Sequence, residues 1–136
     1  MQVRQMTAQD WPQVHFLWEG TGHAFCAGHA SRSQHHRWEQ DPELFLVAET
    51  GGTVVGTAVA AWDGEAGWVC SVAVDPRFRR MGIARNLVGE LESRLRHKGA
   101  SLIFSMVPRD NAGAQDLFET EGFAVDETRV IMMKRL

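Results

Sequence analysis

The chain has 136 residues, 14 Lys and Arg against 17 Asp and Glu, a net charge of −3, and 44% hydrophobic content. That size fits one domain spanning 1–136 with a core that needs neither disulfides nor metals. The acidic balance excludes general attraction to nucleic acid or anionic membrane, and no apolar run approaches the ~20 residues of a membrane helix.

Cys26 and Cys70 have no metal-type spacing and are expected to be reduced thiols. Charge appears early in Met1–Asp10, unlike a signal peptide, so a cytoplasmic location is expected.

Val3–Met6 reads as a short first strand. Thr7 is placed to cap a helix with its hydroxyl, and Trp11, Val14, Leu17 and Trp18 then recur at helical spacing. Pro12 fits the first turn, and Gly20 and Gly22 end the helix. The polar stretch 23–41 holds His23, His29, His35 and His36, with a second helix expected around Ser33–Gln40, before Pro42. Leu44–Glu49 and Thr53–Trp62 are β-branched-rich runs joined by Gly51-Gly52, which predicts a hairpin. Asp63-Gly64 marks the next turn, and Trp68–Val74 is a third core strand closed by Asp75-Pro76.

From Ile83 to Lys98 the period changes to that of a helix. Ile83, Leu87, Leu91 and Leu95 fall at steps of four, widened by Ala84 and Val88. Arg94, Arg96 and Lys98 suit the C-terminal end of the dipole, and Gly99 suits a C-cap. Ser101–Val107 predicts another strand and Asn111–Glu121 a short helix stopped by Gly122. From Phe123 onward one or two closing strands are expected, with Val130–Met133 as their core. Hairpin strands followed by a strand–helix–strand crossover imply a mixed α/β sheet rather than a doubly wound one.

The segment Val72–Arg85 runs from a buried strand through a basic loop into a long helix. The first turn of a helix has unpaired backbone N–H groups and a positive dipole end, which together bind a diphosphate. Gly82 and Ala84 are small enough to let a bulky anion close to the chain, and Arg77, Arg79, Arg80 and Arg85 add forked donors. An Arg-rich turn is also what a solvated loop looks like; its position between strand and helix favours the anion site. Neither G-x-G-x-x-G nor G-x-x-x-x-G-K-[ST] occurs, which argues against a nucleotide-binding domain.

Arg79-x-x-Gly82-x-Ala84 resembles the R/Q-x-x-G-x-G/A signature of GNAT N-acetyltransferases, and Val72-Ala73-Val74-Asp75-Pro76 resembles that family's fourth strand. Downstream, Asn111-x-x-Ala114-x-x-x-Phe118-x-x-x-Gly122-Phe123 is similar to its N-x-x-A-x-x-x-Y-x-x-x-G-F element. Leu44–Glu49 with Val54-Val55-Gly56-Thr57 resembles small bacterial members whose acceptors are generally unassigned.

The resemblance implies the GNAT acyl-CoA N-acyltransferase fold: a mixed, mostly antiparallel sheet with a splayed parallel strand pair and flanking helices. It implies acetyl-CoA as co-substrate, no metal, and a primary amine of a small molecule or protein as acceptor, by direct attack. The pantetheine would lie along Val72, Ala73 and Val74. The diphosphate would meet the segment Arg79, Arg80, Met81, Gly82, Ile83, Ala84 and Arg85. Asn111 would bond the pantetheine, Phe118 would lie beside the sulfur, and a backbone N–H of Val72 or Ala73 would face the developing oxyanion.

Phe118 stands where many members of that family carry a tyrosine acid, and the chain contains no tyrosine. A thiolate is a tolerable leaving group, with a free pKa near ~8.5, so catalysis survives the substitution. The substitution also keeps a second reading open, a catalytically weak acyl-CoA-binding sensor or regulatory module. Asp63, Glu65, Cys70, Ser71 and a water relay are alternative bases; for the four side chains, turn structure and strand packing are the plainer explanations. Trp38, Trp62 and Asp63 are candidates for the acceptor wall, whereas Trp11 and Trp18 fit the core. The histidine spacings match no compact zinc motif. A homodimer is compatible with the sequence, although no motif marks one.

Overall fold

The computed structural model describes residues 1–20 and 31–136, with side chains from Gln34 onward in the second segment. Five strands form one sheet in the order β1-β2-β3-β4-β5: β1 (Gln2–Gln5), β2 (Phe45–Thr50), β3 (Thr53–Trp62), β4 (Gly67–Val74) and β5 (Ile103–Ser105). The first three junctions are antiparallel and the last is parallel. The parallel pair is joined by the crossover helix α3 (Ile83–Lys98).

Alternation along the strands sends Phe45 and Val47 to one face, where they meet α1 (Trp11–Gly20). Leu46 and Ala48 go to the other face, against α3. With both faces covered, β2 and β3 read as nearly continuous apolar runs. The helix α2 (Ser31–Gln40) joins the first face through Trp38. The helix α4 (Ala112–Thr120) joins the second through Phe118.

The α3 stripe is the predicted one: Leu87, Leu91 and Leu95 are fully buried and Ile83 nearly so. Two glycines let this helix lie close to the sheet. A Cβ at Gly56 would stand 2.9 Å from Ile83 Cγ2, and one at Gly67 would stand 2.6 Å from Leu95 Cδ1. The Gly51-Gly52 hairpin forms as expected, both residues adopting positive φ.

At the N-terminus, Arg4 binds Asp10 through both Nη atoms, at 2.7 and 2.9 Å, and Glu49 through Nε at 2.8 Å. This group of three joins β1, β2 and the turn before α1, and the guanidinium holds the Asp10 carboxyl below its usual range. Thr7 is the N-cap, as expected, in a capping box with Asp10. Its hydroxyl donates to Asp10 at 3.2 Å, and its backbone N–H donates to the same carboxylate at 2.7 Å.

The C-terminal expectation fails. Beyond α4 no strand forms, and Val130, Ile131, Met132 and Met133 are 74–88% exposed. β-branched residues favour a strand only where an edge receives them. Here β5 is three residues long rather than the seven expected of Ser101–Val107, and the Arg129 guanidinium lies 5.5 Å above the Phe104 ring beside it. No described helix is long and apolar enough to cross a membrane.

Candidate active site

Strands β4 and β5 pair only through Gly67↔Ile103, Trp68↔Phe104 and Val69↔Ser105. Ser105 Oγ donates to the Val69 carbonyl at 3.1 Å, at the last paired position. Beyond it the strands separate, and Cys70–Val74 faces Met106–Pro108 across a cleft of about 930 Å³.

A β-bulge starts the divergence. Val59 pairs with Ser71 and Ala60 with Val69, so Cys70 is the extra residue on β4. The slip changes the facing: Trp68, Cys70 and Ala73 pack toward α1, while Val69, Val72 and Val74 pack toward α3.

One end of the cleft is the loop entering α3. Arg79, Arg80, Gly82, Ile83, Ala84 and Arg85 all line it, whereas Met81 does not and is 64% exposed. Arg80 has φ 62° and Gly82 φ 79°, so the loop reverses through left-handed backbone before the helix begins. The first α3 hydrogen bond is Asn86 N–H to Gly82 O, at 3.0 Å, which leaves the amides of Ile83, Ala84 and Arg85 outside the helical ladder.

The four arginines divide. Arg77 is bound to Asp75 at 2.8 Å and holds that carboxyl low, while Arg79, Arg80 and Arg85 face the cleft. Glu121 offsets part of that charge, its Oε1 lying 3.6 Å from Arg85 Nε. The other wall is α4, where Asn111 Oδ1 caps the helix by accepting from Ala114 N–H at 3.0 Å. Phe118 is buried edge-on against Phe123, their centroids 5.0 Å apart.

The model of the acetyltransferase (GNAT) family matches residues 5–123 of this chain. The chain belongs to the GNAT family. An acetyltransferase of Yersinia pestis is 31% identical to this GNAT chain over 136 residues, covering all of it and 96% of the relative. One from Photorhabdus laumondii is 36% identical over 111 residues, 82% and 78% of the two chains. Among solved structures, Ard1 from Thermoplasma volcanium superposes with a TM-score of 0.81 at 24% identity, over 92% of this chain and 83% of that one. The aminoglycoside acetyltransferase AAC(6')-Iy, solved with a CoA-linked bisubstrate analogue, gives 0.75 at 20% identity, over 99% and 98%. The fold expected from the sequence is thus the one found, and the enzyme is an acetyltransferase by descent.

The other expected residues of this GNAT enzyme scatter. Trp38 packs on the α1 face, but Trp62 packs on the α3 face and borders a separate pocket of about 160 Å³ with Arg37, Gln40 and Asp41. Asp63 is an exposed turn residue whose carboxylate accepts from Ala66 N–H, Trp68 Nε1–H and Glu65 N–H, bonds that keep its pKa low. Asp63 and Glu65 lie outside the cleft lining. Cys70 lines the cleft but is disulfide-bonded, which corrects the expectation of a reduced thiol there and removes it as a base. Cys26, His23 and His29 lie outside the described residues.

His35 stacks on Trp11 with centroids 3.7 Å apart, and its Nε2 is 3.3 Å from His15 Nε2. Burial first, and the neighbouring His35 second, push the His15 pKa down. The cleft-lining Ser105 and Met106 fall within the expected strand Ser101–Val107, whereas sequence reading missed Glu121. The bulge had a visible signal, the break in alternation between Cys70 and Val72; Glu121 had none beyond its place before Gly122.

Proposed function

We propose that this chain transfers an acetyl group from acetyl-CoA to a primary amine within the β4–β5 cleft. The observation that carries the reading is the cleft itself. One edge of β4 beyond Val69 is released from β5, and at its end stand free helix amides with three arginines. This donor set fits the co-substrate. An extended chain laid along Val72, Ala73 and Val74 pairs with the released strand edge, and a diphosphate meets Arg79, Arg80 and the amides of Gly82–Arg85. Met81 points away and contributes backbone alone. Asn111, whose Oδ1 is engaged in the cap, offers its amide N–H donors to the pantetheine.

Acetyl-CoA supplies an activated acyl group: the amine nitrogen bonds to the thioester carbon, the C–S bond breaks, and coenzyme A leaves as a thiol. The protein's part is placement. A backbone N–H of Val72 or Ala73, at the bend that Cys70 makes, faces the oxygen on which charge develops. Phe118 packs beside the sulfur but donates no proton, so the two protons that leave the nitrogen, one from the ammonium before attack and one after it, pass to water, and the thiolate takes one back from solvent. Asp63 and Glu65 lie outside the cleft lining, so neither is placed to act as the base.

Thiol release from acetyl-CoA in the presence of an amine library tests the reading, with amine-dependent turnover expected. Saturable acetyl-CoA binding without release above background for any amine would replace it with the acyl-CoA sensor.

A further inference from the structure

Helix α2 turns a polar stripe inward. Gln34, Arg37 and Trp38 stand at i, i+3 and i+4 and so share one face. Gln34 is fully buried, yet neither its Oε1 nor its Nε2 has a hydrogen-bond partner among the described residues, and Trp38 Nε1 is buried in the same state. Arg37 is half-buried, and burial pushes its pKa down; among the described residues no ion pair joins it, although it shares a small pocket with Asp41. Its guanidinium donates to Cys70 Sγ at 3.3 Å, a weak acceptor.

Other arginines of this chain are paired: Arg4 with Asp10 and Glu49, Arg77 with Asp75, Arg94 with Glu90, and Arg96 with Glu92. Those three of the four that are more exposed than Arg4 need their partners least, since water already solvates them. A guanidinium drawn partly out of water without an anion costs free energy that a bound anion would return.

Position gives this cation its meaning. Cys70 is the bulged residue at which β4 leaves β5, and it lines the cleft at its closed end, away from the arginines of the α3 loop. The Arg37 side chain borders the separate pocket it shares with Asp41 and Trp62, and its guanidinium reaches the cleft wall at Cys70, on the α1–α2 side of the sheet.

We infer that Arg37 is an acceptor-binding residue and that the acceptor is a small amino-carboxylate: its carboxylate engages the Arg37 fork while its amine reaches the Cys70–Val72 stretch. A carboxylate fits better than a phosphate. The planar fork matches a carboxylate in two parallel hydrogen bonds.

This inference rests on the transfer reaction proposed above, and its test separates the two. Protein saturated with coenzyme A is titrated calorimetrically with α-, β- and ω-amino acids, each beside its own carboxamide. At least one acid is expected to bind tenfold or more tighter than its amide. In Arg37→Met the two should bind equally, with acetyl-CoA affinity unchanged, and Arg37→Lys should recover part of the preference. Thermal melting reports whether each variant is folded. In turnover, the same pairs should differ in KM rather than kcat. The proposal is overturned if no acid outbinds its amide, or if Arg37→Met keeps the preference. Acid-selective binding without any amine-dependent thiol release would sink the transfer reaction and leave the anion subsite standing; equal acetylation of acids and amides would do the reverse.

Discussion

The two faces of the sheet are built on different terms. Against α3 the sheet presents Leu46, Ala58, Ala60 and Val69 to a ladder of Ile83, Leu87, Leu91 and Leu95, with glycines where the helix comes closest. Against α1 and α2 it presents Phe45, Val47, Val59 and Cys70 to tryptophans, two stacked histidines and a buried glutamine, and Trp11, Gln34 and Trp38 keep buried polar atoms with no hydrogen-bond partner among the described residues. The first arrangement is what close packing alone would select. The second leaves hydrogen-bonding capacity buried, which stability does not favour and which is expected where a surface serves a ligand.

Truncation on the α3 face should have the largest effect. Leu91→Ala removes a fully buried side chain from a helix pinned close to the sheet, so little collapse can fill the gap. A loss of about 3 kcal/mol is expected, read by urea denaturation. A loss below about 1 kcal/mol would mean that this face is looser than described.

The α1–α2 face should answer in the opposite sense. Gln34→Leu replaces a buried amide that has no partner among the described residues by an apolar side chain of similar size. Stability should rise by about 1 kcal/mol in the same assay. A clear fall would show that the amide is satisfied in solution and would erase the contrast between the faces.

The smallest effect concerns pH. The folded state holds the His15 pKa below its unfolded value of ~6.5, through burial and the proximity of His35. Below ~6.5 the unfolded chain therefore binds more protons at this site than the native one, and stability falls as pH drops. Melting temperature should decline from pH 7 to pH 5 in the parent protein and decline less in His15→Gln. Parallel slopes in the two proteins would remove His15 from the account.

The same contrast explains what the sequence disclosed. The α3 face follows one period per element, so β3 over Thr53–Trp62 and α3 over Ile83–Lys98 were placed to the residue. The diphosphate loop was legible because small residues, arginines and a strand–helix junction coincide within a few positions. Long-range choices were not legible. Whether Val130–Met133 finds an edge depends on the length of β5, and the pairing of Asp75 with Arg77 rather than with a ligand depends on a turn geometry that composition does not encode. Trp38 and Trp62 look alike in the sequence, and only the tertiary structure puts them on opposite faces. Arg37 was unremarkable in a polar helix until Cys70 was placed beside it.

The central claim, that amides opening α3 hold the diphosphate of acetyl-CoA, is best tested by calorimetric titration of the parent protein and of Ala84→Glu. Ala84 lines the cleft in the first turn of α3, where an acidic side chain favours the helix dipole, so the substitution sets a charge against the cofactor without opposing the helix. Saturable binding in the parent and a loss of at least a hundredfold in the variant, with an undiminished melting temperature, is the predicted result. Equal affinity in the two proteins would contradict it.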